Sequence, residues 1–384
     1  MKILFPYMAR WFAVNWTRYH SLLEVLGQQG HEVHVLQPPS MDSEETNFRE
    51  IAHREMPNVH LHDVKLSDGF WNKKLPLDKL VKKAYFSMAA YKDAKKIVKE
   101  QDIDLVLLYN IPQYQFMRLK GPKIVFDFAD DYIDMLAYEL GSLNIAPIRG
   151  VAQKMLDNMM KRSDAVLCVS HELAKLAQGN VHVLANGVSA DQMVALTDGQ
   201  PINVVKNEKF TVGFLGAFEY FIDFDIILDA AEKLPAVHFL LVGSGRDWEG
   251  VKQAVADRQL NNIELTGGVP HDEVFDCIDR MDVCLNIFKP IPVSHRACPI
   301  KLFEYLSRHK PVISTRLHEM PYIDDGDFLY YADQPEELVL AIERIQQNPE
   351  EAFEMAHKGY NAVNERFTWE KLATRFLELS TVKV

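Results

Sequence analysis

An α/β chain of two doubly wound domains is the fold class the sequence predicts. Short apolar runs alternate with amphipathic stretches from end to end, and the series breaks once in a polar segment near the middle before starting again. The length, 384 residues, also exceeds what one hydrophobic core usually supports. The expected layout is two Rossmann-like units, each a parallel sheet with helices on both faces. Their C-terminal strand ends are expected to line a central cleft, where ligands bind in such sheets.

The elements follow in order. MKILFPY is the first strand; residues 15–29 read as a helix on Trp16, Tyr19, Leu22, Leu23 and Leu26; Gly30 stops it, and HEVHVLQP is the next strand. VHLHDV, DIDLVLLYN, KIVFDFA, AVLCVS and VHVLAN continue the series. Within it, LPLDKLVKKAYFSMAAYKDAKKIVKE sets Leu77, Leu80, Val81, Ala84, Tyr85 and Met88 at helical spacing. Between Lys73 and Lys99 stand nine lysines (73, 74, 79, 82, 83, 92, 95, 96 and 99) against Asp78 and Asp93. Two readings of this basic face stay open: a surface that attracts anionic lipid headgroups at about 1 kcal/mol per near-surface lysine, or a solvated helix packed on its own domain.

The stretch VSADQMVALTDGQPINVVKNEK is polar, weakly periodic and carries Gly199 and Pro201. It places a first domain over 1–190, a linker over 191–209 and a second domain over 210–365, with a last helix, 366–384, expected to pack back on the first. The second series runs FTVGFLG, a helix near 224–234, VHFLLVGSG, a helix over 248–259, NIELTGG, a helix over 271–281, DVCLNIF, a helix around Glu304, and PVISTR.

Bulk properties exclude several classes. A formal net charge of −12 argues against wide nucleic-acid contact. Cys168, Cys277, Cys284 and Cys298 lack zinc-site or CxxC spacing and suit a reducing compartment. No window approaches a membrane span, and MKILFPYMARWFAVNWTRY lacks the parts of a signal peptide. The expected location is cytoplasmic, and the lipid-attracting reading of the lysine-rich segment would add peripheral attachment to the inner face of the plasma membrane.

Chemistry concentrates in the second half. Gly213 and Gly216 in VGFLG, and Gly243 and Gly245 in VGSGR, each follow an apolar strand, where bare backbone lets a phosphate approach amide donors. A tight turn without a ligand explains each one equally well. In SHRACPIKLFEYLSRHKPVIST a single acid, Glu304, sits three residues after Lys301 in a run that is otherwise apolar and aromatic. An ionised carboxylate accepts only, and can hold a diol with both oxygens. In the first half, FDFADDYIDM puts Asp127, Asp130 and Asp131 at a strand end, with helix capping as the alternative for Asp131. Tyr7, Arg10, Trp11, Asn15 and Trp16 follow the first strand as a sugar or acceptor wall, or as packing.

HRACPIKLFEYLSRHKPVIST resembles the signature segment of retaining glycosyltransferase family 4, whose members have the GT-B fold. VGFLG, HFLLVGSG, NIELTGGVPHDEVFDCIDRMDVCLNIF, SDAVLCVSHEL, VHVLANGV and LEVLGQQGHEVHVL extend the likeness over most of the chain in the expected order. The resemblance implies transfer of a sugar from a nucleoside diphosphate sugar to a hydroxyl of a glycan or lipid-linked acceptor, in envelope polysaccharide or glycolipid assembly. It implies no permanently bound cofactor and no protein-bound metal. Glu304 is implied as the ribose ligand, with His295, Arg296, Ile300 and Lys301 around the diphosphate and sugar, and Asp130 and Asp131 as acceptor-side residues.

The chain departs from the family pattern at three places. Arg296 stands where an acid is common, and GAFEYFIDFD lacks the usual arginine and lysine after the first glycine-rich strand. Arg246, Arg296 and Lys301, with His295 and Lys289 behind them, are the expected replacements. Asn110 and Pro112 also occupy a segment where relatives often carry a histidine. Other classes stay open: a sugar-nucleotide epimerase or hydrolase of the same fold, and a noncatalytic carbohydrate or nucleotide-binding module.

Overall fold

The computed structural model describes the chain apart from residues 13–15, 40–54, 67–77, 141–145, 198–199, 202–207 and 382–384. It forms two compact units, Met1–Ala185 with Leu372–Val384, and Asn186–Lys371.

In the first unit, the strands are β1 (Lys2–Pro6), β2 (Glu32–Gln37), β3 (Val59–Asp63), β4 (Leu105–Leu108), β5 (Lys123–Phe128), β6 (Ala165–Cys168) and β7 (Val181–Val183). Among the described residues they make one parallel sheet in the order β3-β2-β1-β4-β5-β6-β7. Runs such as Ile3–Leu4–Phe5 and Leu105–Val106–Leu107–Leu108 are apolar throughout because both sheet faces are covered; none of these residues is more than 1% exposed. The strand order reverses between β1 and β4, so the carboxyl ends of β1, β4 and β5 surround the crevice of this sheet.

The lysine-rich helix is Asp78–Glu100, but the apolar stripe expected on it is out of phase. Phe86, Ser87, Ala90 and Ala94 form the buried face, whereas Ala84 is exposed and Met88 is 69% exposed. Small residues, which carry little hydropathy, let this helix lie close to the sheet, and a stripe chosen by side-chain size misses them. Lys73, Lys74 and Leu77 of the segment lie outside the described residues.

The second unit holds a small antiparallel hairpin, β8 (Leu196–Thr197) and β9 (Gln200–Pro201), and a parallel sheet. The sheet strands are β10 (Thr211–Leu215), β11 (His238–Val242), β12 (Ile263–Gly267), β13 (Val283–Asn286), β14 (Val312–Ser314) and β15 (Tyr330–Tyr331). Their order is β12-β11-β10-β13-β14-β15 among the described residues, with the reversal between β10 and β13. The expected helix over 271–281 opens as a 3-10 turn, His271–Glu273, and continues as Val274–Asp279.

The helix Ile300–Ser307 crosses from β13 to β14. Leu302, Phe303, Tyr305 and Leu306 are wholly buried, which leaves Lys301 and Glu304, one turn apart, on the face turned away from the core.

Candidate functional site

The second unit builds its site where β10 and β13 part. Gly216 follows β10 at φ +142° and Gly243 follows β11 at φ +135°, conformations that side chains rarely adopt. The two turns lie against each other: a Cβ on Gly243 would overlap the Gly216 carbonyl oxygen, and one on Gly245 would overlap the Phe218 backbone. Backbone hydrogen bonds from Gly216 N to Val242 O (3.0 Å), from Phe218 N to Ser244 O (3.0 Å) and from Gly243 N to Gly267 O (2.9 Å) hold three strand ends as one rim. Gly213 does not belong to this rim. It lies within β10, where a Cβ would overlap the Met281 sulfur, so its bareness serves packing.

Lys301 comes up beside Gly216, with its Nζ 2.8 Å from where a Cβ would stand. The ammonium rests over the Phe214 ring at 3.9 Å and faces Phe288 at 5.3 Å, two aromatic faces that favour a cation while supplying no counter-charge. Burial pushes the Lys301 ammonium down to about 7 and the Glu304 carboxyl up to about 7, and their mutual attraction opposes both shifts. Both side chains are half-buried, so each stays within reach of a ligand. Tyr305 fixes their helix, its hydroxyl accepting from Leu215 N at 2.8 Å.

This helix opens at Ile300 behind Pro299, which offers no side-chain cap, so its first amides can meet an anion. Just before it, His295 ends the short helix Pro292–His295, stacked on His318 at 3.9 Å, and Arg296 follows as its C-cap. Arg246 is drawn to Glu219, Nε to Oε2 at 3.4 Å, so an acid of the same rim meets part of its charge. Part of the Arg246 charge is thereby already met, which counts against it as the replacement for the phosphate cations that the resemblance leads one to expect.

The first unit brings together a buried polar group that sequence reading found only in part. Arg18, the first residue of the helix Arg18–Gln28, engages Asp127 on β5: Nε lies 3.1 Å from Oδ2 and Nη2 donates to Oδ1 at 3.2 Å. Nη2 also donates to Leu184 O at 3.0 Å. Burial pushes the Asp127 carboxyl up, and Arg18 pulls it down. Asp130, beyond the end of β5, is pushed up to about 7 by its desolvated surroundings, with Arg18 and Lys83 lowering it and Asp127 and Asp131 raising it. Its side chain keeps solvent access, which screens part of that shift. The Tyr19 and Tyr132 hydroxyls, each on a residue more than nine-tenths buried, lie in the same electrostatic neighbourhood.

Asp131 takes the helix-capping position that the sequence offers as the alternative for it. It is 6% exposed, and its Oδ1 accepts from Asp134 N at 3.1 Å, capping the helix Tyr132–Leu140. Of the N-terminal group, Tyr7 and Trp11 are core: both are buried in an aromatic cluster with Phe5, Tyr19, His20 and Tyr109. Trp16 donates to Ser21 Oγ at 2.8 Å, Arg10 lies 3.8 Å from Asp63, and Asn15 is outside the described residues. Asn110 caps the 3-10 helix Ile111–Arg118 through Oδ1 to Ile111 N at 2.8 Å. All four cysteines are free and buried. No group of three or more His, Cys, Asp and Glu side chains among the described residues is arranged to hold a metal ion.

The comparisons with known proteins fit this geometry. Residues 17–192 match the model of Glycosyltransferase Family 4, and residues 225–378 that of a glycosyl transferase-like family. A protein of Bacillus subtilis (strain 168) that carries the name teichuronic acid biosynthesis glycosyltransferase TuaH is 27% identical over 245 residues, 57% of this chain. The match spans 61% of that relative's length. Among solved structures, sucrose-phosphate synthase from Thermosynechococcus elongatus superposes with a TM-score of 0.76 at 14% identity, over 98% of both chains. Anabaena HepE, in complex with UDP and glucose, superposes with a TM-score of 0.70 at 14% identity over 100% of both chains. The chain has the GT-B fold.

Proposed function

We propose that the chain is a glycosyltransferase that moves a sugar from a nucleoside diphosphate sugar to a hydroxyl of a glycan or lipid-linked acceptor in cell-envelope polysaccharide assembly. The observation that carries this reading is the Lys301–Glu304 pair beside the glycine rim at the strand reversal of the second unit. Glu304 accepts from the ribose hydroxyls, while Lys301 and the first amides of its helix, at Ile300, meet the diphosphate. Arg296 and His295 flank it, with Arg246 in reserve. The match to the glycosyl transferase-like model over residues 225–378, and the UDP and glucose held by HepE on the same fold, support this donor class.

In the reaction the acceptor oxygen bonds to the anomeric carbon as the bond from that carbon to the diphosphate breaks, and the diphosphate leaves with the electron pair. Lys301 and Arg296 stabilise the charge that grows on it. Asp130, exposed just beyond the carboxyl end of β5, orients the acceptor hydroxyl and assists its deprotonation on the first unit. Retention follows if hydroxyl and departing diphosphate share one face of the sugar. The name of the Bacillus relative supports an envelope polysaccharide acceptor.

Incubation with donor sugars labelled in the glycosyl group, with and without glycan and lipid-linked acceptors, is expected to give label in acceptor, with the anomeric configuration of the donor preserved by NMR. Label that is epimerised or released without an acceptor would make the chain an epimerase or hydrolase. Tight donor binding without turnover over a broad acceptor panel would make it a binding module.

Peripheral attachment at the cytoplasmic membrane face also belongs to this reading. No helix among the described residues is long and apolar enough to cross a membrane. The solvent face of the helix Asp78–Glu100 carries Met88, Lys92, Lys95, Lys96 and Lys99, all exposed: an apolar residue followed by cations. Lys92→Glu with Lys96→Glu is expected to reduce sedimentation with phosphatidylglycerol vesicles and to leave donor binding intact. Salt should weaken the parent's sedimentation in the same direction. Equal sedimentation of the parent with anionic and neutral vesicles at low salt refutes attachment.

A further inference from the structure

A cavity of about 1010 Å³ opens in the first unit at the amino ends of β4 and β5. Asp102 and Ile103 lead into β4, and Leu119 and Lys120 lead into β5, so it lies at the opposite strand ends from Asn110 and Asp130. The proposed reaction makes no use of it. Five cations line it: Lys95 and Lys99 near the end of the helix Asp78–Glu100, Arg118 and Lys120 on the approach to β5, and Arg162 at the end of the helix Ala146–Arg162. The one acid in the lining is Asp102.

Among the described residues none of the five cations forms an ion pair with a carboxylate, although the chain has 54 acidic side chains for 42 lysines and arginines. Elsewhere its arginines find acids readily: Arg258 has Asp229 and Glu232, Arg316 has Asp333 and Glu337, and Arg366 has Asp325. Two helix C-termini offset about half a charge each. Asp102 offsets one more, which leaves about three positive charges facing one basin in a protein of net charge −12.

The wall is held in place by neutral partners. Arg162 donates through Nη2 to Met117 O at 3.1 Å and through Nη1 to Asn158 Oδ1 at 3.4 Å, and the Tyr91 hydroxyl donates to Arg118 O at 3.4 Å. These bonds orient the Arg162 guanidinium and hold the Arg118 backbone while leaving the positive charge uncompensated. Ile103, Met117 and Leu119, each less than a tenth exposed, give the cavity an apolar floor.

We propose that this cavity is a second, noncatalytic binding site for a multiply ionised phosphate group, carried by a soluble phosphate compound or by a lipid headgroup. A guanidinium fork and ammonium groups match phosphate oxygens, and the basin has more positive charge than a single carboxylate would neutralise.

The test uses the full chain in a Lys301→Ala background, so that the candidate donor site contributes little to phosphate binding. Inorganic pyrophosphate, and dihexanoyl phosphatidic acid below its micelle concentration, are titrated by calorimetry and by the shift in Tm. At least one is expected to bind saturably and to raise Tm. Lys95→Ala with Lys99→Ala and Lys120→Ala, all at exposed positions, is expected to weaken that binding on the order of tenfold or more. The matching triple Lys→Arg variant should retain it. Tighter binding of pyrophosphate identifies a soluble source, and tighter binding of phosphatidic acid a lipid source. If neither probe binds, or the alanine variant binds both as the parent does, the proposal fails. Nucleotide-sugar binding, measured with the alanine triple in the parent background, should stay unchanged, so failure of the donor reading and failure of this site are separate results.

Discussion

Arg18→Met is expected to cost about 3–5 kcal/mol of folding stability, because it leaves the Asp127 carboxylate buried at 1% exposure without its cation. The pair stands on the two sides of the strand reversal in the first unit, where both side chains are walled off from bulk solvent. Asp127→Asn in the same chain should recover much of the loss, since the charge that needed a partner is gone. The pH dependence has a definite sign. Without Arg18 the folded-state pKa of Asp127 rises further above its unfolded value, so the folded chain binds more protons and stability falls as pH rises. The deficit against the parent should therefore shrink as pH is lowered through the raised pKa, and denaturant melts at several pH values measure it. A deficit of the same size at every pH, with no recovery from Asp127→Asn, would mean that Arg18 matters only for packing. Asp130 also loses a cation that lowers its pKa, so the acid limb of any turnover should move to higher pH in a variant that still folds.

Arg18 also shows what a single sequence conceals. Its partner lies 109 residues away, and in TRYHSLLEVL the arginine falls at the edge of an apolar helix face, where a charge usually reaches solvent. A continuous apolar run such as Leu105–Leu108 is readable because burial on both faces is a property of the run itself. A buried ion pair is a property of two distant elements and has no local period. Gly213 and Gly216 mark the same boundary. Three residues apart in VGFLG, they look alike, yet one is bare because Met281 packs on it and the other because the chain turns at φ +142°. Glu304 was legible for a physical reason: it is the one acid on a helix whose other face is aromatic and aliphatic, so the helix has to present it away from the core. The stripe on Asp78–Glu100 was misread because Ser87, Ala90 and Ala94 bury a face without hydropathy.

Glu304→Ala is expected to weaken binding of the nucleoside diphosphate sugar by roughly 10- to 150-fold, the loss of one charged acceptor worth about 1.5–3 kcal/mol, with the chain still folded. The folded state should survive because Glu304 is half-buried on the face away from the core, and its removal relieves a carboxyl held in a desolvated place. The parent should show a bell-shaped donor affinity centred near neutral pH. Burial lowers Lys301 and raises Glu304 towards the same value, so the pair titrates as a unit with two apparent pKa values. A diphosphate needs the ammonium, which is lost as pH rises. A ribose diol needs the carboxylate, which is lost as pH falls. The best binder is the singly protonated pair, in which the ligand favours the ion pair over its neutral tautomer. Lys301→Arg keeps its charge at every accessible pH and should flatten the alkaline limb, while Glu304→Gln should flatten the acid limb. Calorimetric titrations of donor at half-unit pH steps would separate these limbs. Equal donor affinity in Glu304→Ala and the parent, or a parent affinity flat across neutral pH, would remove the pair from the site and shift phosphate recognition to Arg296 and its neighbours.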